Sequence, residues 1–132
     1  MVDCENEVYT RIATVLREQY PGINLSGTYV KSPSSFPYVC VIQSDSSVIR
    51  SHWDTSGDEI AQVMFEINIY SNKTEGKKTE CKSIAKTIDD VMSSMNFRRI
   101  ASNPVPNVED ATIYRIVSRY RGATDGKFFY RR

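Results

Sequence analysis

The sequence has little of the chemistry on which most enzymes and metal proteins depend. Its 132 residues include one histidine, one tryptophan and three cysteines. The cysteines lie far apart, so they form neither a disulfide framework nor a metal-ligand spacing. Cys40 and Cys81 fall in apolar patterns, and we expect both to be small buried side chains in a reducing cytoplasm. The acidic N-terminus has no apolar segment of the kind found in a secretory signal.

Long hydrophobic runs are absent as well, and so are intact catalytic motifs. No apolar run approaches the roughly 20 residues that a membrane span needs. His52 lies in a polar segment, and no serine stands in the G-x-S-x-G pattern. Residues 71–79 (SNKTEGKKT) resemble a phosphate-binding loop, but Ser71 replaces its first glycine and Lys78 its final Ser/Thr. We therefore expect no membrane span, no enzyme activity, no cofactor and no metal.

Charge is balanced in total and uneven along the chain. The formal net charge is +1. Residues 1–60 contain four Lys/Arg and eight Asp/Glu, whereas residues 61–132 contain thirteen and eight. Such asymmetry suits head-to-tail contacts between identical subunits, and chance fluctuation of surface charge explains it equally well. The length and composition predict one domain over residues 1–122, followed by a C-terminal tail over residues 123–132.

Hydrophobic periodicity predicts an α+β fold with the element order α-β-β-β-α-β-β. The expected helices, residues 3–19 and 81–95, each have one apolar stripe at helical spacing. The expected strands are residues 23–30, 38–43, 60–70, 97–101 and 112–122. Residues 44–59 are expected to form a long polar connection. Two amphipathic helices covering one mainly antiparallel sheet would give a two-layer domain.

The last expected strand contains three arginines on one face. In YRIVSRYRG (residues 114–122), strand alternation places Arg115, Arg119 and Arg121 on one side. The other side then receives Tyr114, Ile116, Ser118 and Tyr120. The arginines need water, phosphate or the carboxylates of another chain as partners, because a planar guanidinium binds either anion in a bidentate manner.

Two groups of apolar residues lie where a monomer gains little from them. Val48, Ile49 and Trp53 fall in the expected polar connection, and the expected tail contains Phe128, Phe129 and Tyr130. Each group either folds back onto the core or contacts another protein. Aromatic anchors of this kind often supply much of the energy of an interface.

These features together resemble the tail terminator (tail completion) proteins of long-tailed bacteriophages and the related head–tail neck proteins. The resemblance covers nearly the whole chain in order, and it rests on element order and residue type. It includes the short first helix and the segments FPYVCVIQSD, FEINIYSNKTEGKKTECKSIAKTIDDVM, MNFRRI and ATIYRIVSRYRGATDG.

The resemblance implies a structural virion protein, made in the host cytoplasm, that forms a ring at the end of the tail tube. The ring, usually a hexamer, stops tube growth and offers the head-joining surface. Its partners would be other copies of itself, the tail tube protein and a head-side neck protein, and genomic DNA would pass through the bore without specific binding. The resemblance supplies no functional residues.

The arginine strand then has two possible roles in such a ring. It contacts carboxylates of the next subunit, such as Asp3, Glu5 or Glu7, or it lines the channel. The first role is favoured, because each neutralised phosphate would add grip on DNA that has to move. Other functions stay open: a head-side stopper or adaptor, a small nucleic-acid-binding regulator that uses the basic second half, and a hydrolase that uses His52.

Overall fold

A computed structural model describes residues 3–30, 33, 35–51, 59–105, 112–124 and 129–130, with backbone only at 48–51, 59, 129 and 130. Within these residues, two helices and six strands follow one another. They are α1 (Glu5–Gln19), β1 (Asn24–Ser26), β2 (Tyr38–Ser51), β3 (Glu59–Ser71), α2 (Lys77–Ser94), β4 (Arg98–Pro104), β5 (Tyr114–Thr124) and β6 (Phe129–Tyr130).

The strands form one mixed sheet with the spatial order β1-β2-β3-β5-β4, and β6 pairs with the end of β5. The pairing of β1 with β2 is parallel, and the other pairings are antiparallel. Both helices pack on the same face, so the predicted two-layer α+β fold is confirmed. No described helix is both long and apolar enough to cross a membrane.

The core lies between the helices and β3, the central strand. Ile12 and Leu16 of α1 and Ile88 of α2 are fully buried, as are Phe65 and Ile67 of β3. Each such side chain contributes about 1.5–3 kcal/mol relative to full exposure. The apolar residues of the helical stripes and those on one face of β3 therefore form a single core.

Several strand limits differ from those expected from the sequence. The prediction that residues 44–59 form a connection is wrong for residues 44–51, which continue β2 and pair with β3. Ser44, Asp45 and Ser47 in this part of β2 are exposed, whereas Val39, Cys40 and Val41 in its first half are buried. β1 is shorter than expected, and β4 continues to Pro104, since a proline is tolerated at the end of an edge strand.

The C-terminal end of the sheet also extends further than the sequence indicated. β5 continues to Thr124, two residues past the expected boundary at Gly122. The backbone of β6 pairs with Ala123 and Thr124. Parts of the expected tail therefore belong to the sheet.

The end of α2 positions a phenylalanine against this sheet. Asn96 has φ 65°, the left-handed conformation, as expected for a residue that stops a helix. The N–H of Asn96 donates to the carbonyl of Ser93, and the N–H of Phe97 donates to the carbonyl of Met92, both at 3.0 Å. This is a Schellman motif. It turns the chain so that Phe97 is buried and its ring meets the ring of Phe65 edge-on, with 5.5 Å between centroids.

Candidate interaction surface

The sheet face opposite the helices, here called the open face, contains the arginines. Strand alternation and register assign to it Tyr38, Cys40, Ile42 and Asp45 of β2, Met64, Glu66, Asn68 and Tyr70 of β3, Arg115, Val117, Arg119 and Arg121 of β5, and Arg98, Ala101 and Asn103 of β4. The sequence prediction that the three arginines of β5 share one face is confirmed. Their environments within that face differ from one arginine to the next.

Arg115 is held by side chains of its own chain. Its Nε and Nη2 atoms donate to Oδ1 of Asn68 at 3.0 and 2.6 Å. Its guanidinium carbon lies 5.8 Å from the ring centroid of Tyr29 and 5.6 Å from that of Tyr70, within cation–π range. Tyr70 and Asn68 are fully buried although they lie on the open face. Arg115 therefore fixes the segment around Tyr29 to the sheet.

Arg119 forms an ion pair across two strands. Its Nη2 atom lies 2.9 Å from Oε1 of Glu66, the residue directly opposite on β3. The side chains are 49% and 27% exposed, so solvent screens the pair and its net contribution to stability is about 1 kcal/mol or less. This weak pair leaves the guanidinium accessible to a further partner.

Arg121 lies opposite a second arginine. Its cross-strand neighbours are Arg98 on β4 and Met64 on β3. Like charges placed directly opposite destabilise a sheet. The Nε atom of Arg121 is buried and has no hydrogen-bond partner in the part of the chain that the structure describes. We call Arg98, Arg119 and Arg121 the arginine cluster.

Sequence reasoning missed Arg98 as a site residue. It was part of an expected strand, but only the register of β4 against β5 places it beside Arg121. Strand alternation alone places Asn68 and Glu66 on one face of β3. Their pairing with arginines of β5 likewise depends on register, which a strand pattern alone does not contain.

Other predicted interface residues lie partly or wholly outside the described structure. The backbone of Val48 and Ile49 belongs to β2, and that of Phe129 and Tyr130 belongs to β6. Their side chains are not described, and Trp53 and Phe128 fall outside the described ranges. An interface role for these six residues stays a prediction.

Carboxylates gather at the opposite edge of the sheet, where α1 begins. Asp3, Glu5 and Asp45 line a concavity of about 310 Å³ beside the bulge between Gln43 and Asp45 of β2. The backbone N–H of Gln43 donates to Oε2 of Glu5 at 3.0 Å, and that of Ser46 donates to Oδ1 of Asp45 at 2.9 Å. We call this concavity the acidic pocket.

Of the three acidic residues expected to meet the arginines, Glu7 does not line the acidic pocket. It pairs with Arg11 one helical turn away, at 2.9 Å. Asp3 accepts a hydrogen bond from the N–H of Glu5 at 3.0 Å. Asp3 and Glu5 thus belong to the acidic pocket, whereas Asp45 was not singled out by the sequence.

A third surface feature is a groove of about 610 Å³ between α2 and β4. Lys82 and Lys86 form one wall, and Arg99 and the half-exposed Ile100 form the other. Asp89 lies in the same groove and neutralises part of the positive charge of these walls. Its Oδ1 atom is 3.8 Å from Nη1 of Arg99. The groove thus combines positive, negative and apolar side chains.

Tyr120 reaches Asp89 from the sheet beneath the groove. Its hydroxyl donates to Oδ1 of Asp89 at 3.1 Å. Burial raises the pKa of Tyr120, and the neighbouring carboxylate of Asp89 raises it further. The phenol therefore serves as a neutral donor that ties α2 to β5, and not as a base.

Among the described residues, neither a metal-binding cluster nor a reactive thiol is found. They contain no group of three or more His, Cys, Asp or Glu side chains able to hold a metal ion. All three cysteines are buried and free. Burial raises the pKa of the Cys4 and Cys81 thiols to about 12, so neither is a thiolate nucleophile near neutral pH.

Comparisons with known proteins establish the fold and no family. No protein-family model and no curated protein matches the sequence. Among solved structures, the chain is similar to a chain of the "Virion of native gene transfer agent (GTA) particle". The TM-score is 0.63 and the identity 16%, and the alignment covers 89% of this chain and 90% of the other. The two chains therefore share one fold over nearly their full lengths.

Proposed function

We propose that this chain is a structural protein of a phage-type virion whose copies form a ring at the end of the tail tube. The observation that carries the proposal is the fold shared, along nearly the whole chain, with a chain of a gene transfer agent virion. The resemblance of the sequence to tail terminators supports the finer role. The ring stops the addition of tube subunits and provides the surface that the head joins.

The surfaces of the chain support assembly in preference to chemistry. A ring forms when one face of a subunit binds a different face of the next and the rotation closes. The arginine cluster and the acidic pocket are two such unlike surfaces. The described cysteines are buried, and no described cluster of side chains suits a metal ion. Function in this account is geometric, and no substrate is consumed.

The proposed partners are other copies of the chain in a closed ring of six, the tail tube protein and a head-side neck protein. Trp53 and the residues Phe128–Tyr130 are proposed contacts to these partners. Genomic DNA passes through the bore without being held. The virion neck or tail is the proposed location.

Tube growth provides the test. Tubes are polymerised from the tail tube protein encoded nearest to this chain, with and without the chain, and their lengths are measured by electron microscopy. The proposal predicts that added protein cosediments with tubes and stops elongation. Trp53→Ala should fold normally and bind tubes less tightly. Protein that leaves elongation unchanged and instead binds isolated heads would favour a head-side stopper or adaptor.

A further inference from the structure

We propose that the arginine cluster of one copy binds the acidic pocket of the next copy, and that this contact joins neighbours in the ring. The inference rests on the proposed function and names the surfaces involved. On one copy the contact uses Arg98 and Arg121. On its neighbour it uses Asp3, Glu5 and Asp45.

Two members of the arginine cluster, Arg98 and Arg121, have no carboxylate partner among the described residues. Arg98 and Arg121 are directly opposite each other. Glu66, the nearest acid by register, is already paired with Arg119. A carboxylate from outside would relieve the repulsion by accepting hydrogen bonds from Arg98, which is exposed, and from the accessible part of Arg121, which is half-buried. Charge-assisted hydrogen bonds of this kind are among the stronger ones in proteins.

The charge pattern around the cluster fits a protein partner better than a nucleic acid. Asp45 lies in the same cross-strand row as Arg121, and Glu66 lies in the next row. A polyanion that covered the open face would meet these carboxylates. A protein surface with its own mixed charges avoids them, and the acidic pocket of a second copy has the complementary sign.

The positions of the two surfaces indicate contact between unlike faces. The row Asp45–Met64–Arg121–Arg98 crosses the sheet from β2 to β4. With strands about 4.8 Å apart, its ends are separated by about 14 Å. β1 pairs only with Tyr38–Cys40, so the bulge of β2 beside the acidic pocket lies at one edge of the described sheet. β4 forms the other edge. Copies joined edge to edge repeat one head-to-tail contact, and such a contact forms a ring when the rotation between neighbours closes.

Two variants test the contact, each altering one surface. Arg98→Gln/Arg121→Gln removes the charges of the cluster, and Asp3→Asn/Asp45→Asn removes two charges of the pocket. Sedimentation velocity is recorded up to about 1 mM protein, at low salt and at about 0.5 M NaCl, where the Debye length falls to about 4 Å. Wild type should form species larger than a dimer at low salt. Each variant should associate at least tenfold more weakly.

Mixing the two variants provides the sharper test. Each retains one intact surface, so an equimolar mixture should form dimers of one copy of each and nothing larger.

The control Lys82→Gln/Lys86→Gln removes two charges from the groove on α2 and should assemble like wild type. Thermal unfolding checks folding. The arginine variant should be at least as stable as wild type, because it removes a repulsive pair.

Several results would overturn the inference. The wild type could stay monomeric at every protein concentration, it could form dimers and nothing larger, or the charge variants could assemble as well as wild type. Loss of DNA-oligonucleotide binding in the arginine variant, with unchanged self-association, would assign the cluster to phosphate instead. The tube-growth assay separates the two proposals. If wild type stops elongation while both variants do so equally well, the ring stands and this contact does not.

Discussion

Gly122 allows the most quantitative prediction about this fold. It lies in β5 opposite Val63, on the face covered by α2. A Cβ at this position would lie 2.5 Å from Cε1 and 3.1 Å from Cγ of Phe97, with Cδ1 nearer still. The Phe97 ring is buried against Phe65 and follows directly from the Schellman end of α2. It therefore has little freedom to move away.

The expected cost of Gly122→Ala follows from two opposing effects. Overpacking of a well-packed core costs about 1–3 kcal/mol. Replacing glycine reduces the entropy of the unfolded chain and returns about 0.4–1 kcal/mol. At the middle of each range, the free energy of unfolding should fall by about 1.3 kcal/mol (about 2 minus about 0.7). Alanine should not be tolerated here even though it is the smallest side chain.

Urea unfolding followed by circular dichroism measures this change as a lower midpoint at an unchanged slope. Gly27→Ala is the matched control, because the nearest heavy atom to its added Cβ is Oε1 of Glu5 at 3.9 Å. In the Gly122→Ala background, Phe97→Leu should recover part of the loss, although the same change destabilises wild type. Equal stability of Gly122→Ala and wild type would refute the packing argument.

Three further predictions concern Arg115 and Arg119, Tyr120, and the three cysteines. Arg115→Gln should lower the free energy of unfolding by about 1.5–3 kcal/mol, because it removes charged hydrogen bonds. Arg119→Gln should lower it by about 1 kcal/mol or less. Equal losses of stability in urea titrations of the two variants would contradict this ranking. The fold stabilises the protonated form of Tyr120, whose pKa is raised by burial and then by Asp89, so stability should persist below about pH 10, the ordinary tyrosine pKa, and fall above it. Unfolding titrations of Tyr120→Phe should show a shallower alkaline loss, and an unchanged loss would reject this assignment. The three buried cysteines should react slowly with a thiol reagent at pH 8 and rapidly after unfolding, and fast labelling of folded protein would disprove their burial.

The sequence alone predicted the helices and strands that bury one face against the core. The stripe on α2 and the alternation of β3 each identified residues that the structure buries, such as Ile88 and Ile67. Burial imposes the periods of 3.6 and 2 residues that make such elements recognisable. Asn96, directly after the expected helix, adopts the left-handed conformation, which asparagine tolerates better than most residues.

Features set by pairing between strands could not be predicted in the same way. The second half of β2 escaped recognition because its polar residues show no apolar alternation there. The position of Arg98 opposite Arg121 and the pairing of Arg119 with Glu66 depend on register. The acidic pocket needs the bulge that brings Asp45 beside the start of α1. A linear pattern of residue types contains none of this information.

The central claim is that unlike surfaces of identical copies close a ring on a tail tube. Electron microscopy of purified tubes mixed with the protein tests this claim most directly, because end views show both the presence of a cap and the number of copies in it. We predict a closed ring at one end of each tube, lost when Arg98 and Arg121 are both replaced by glutamine. Tubes whose ends stay bare at saturating wild-type protein would contradict the account.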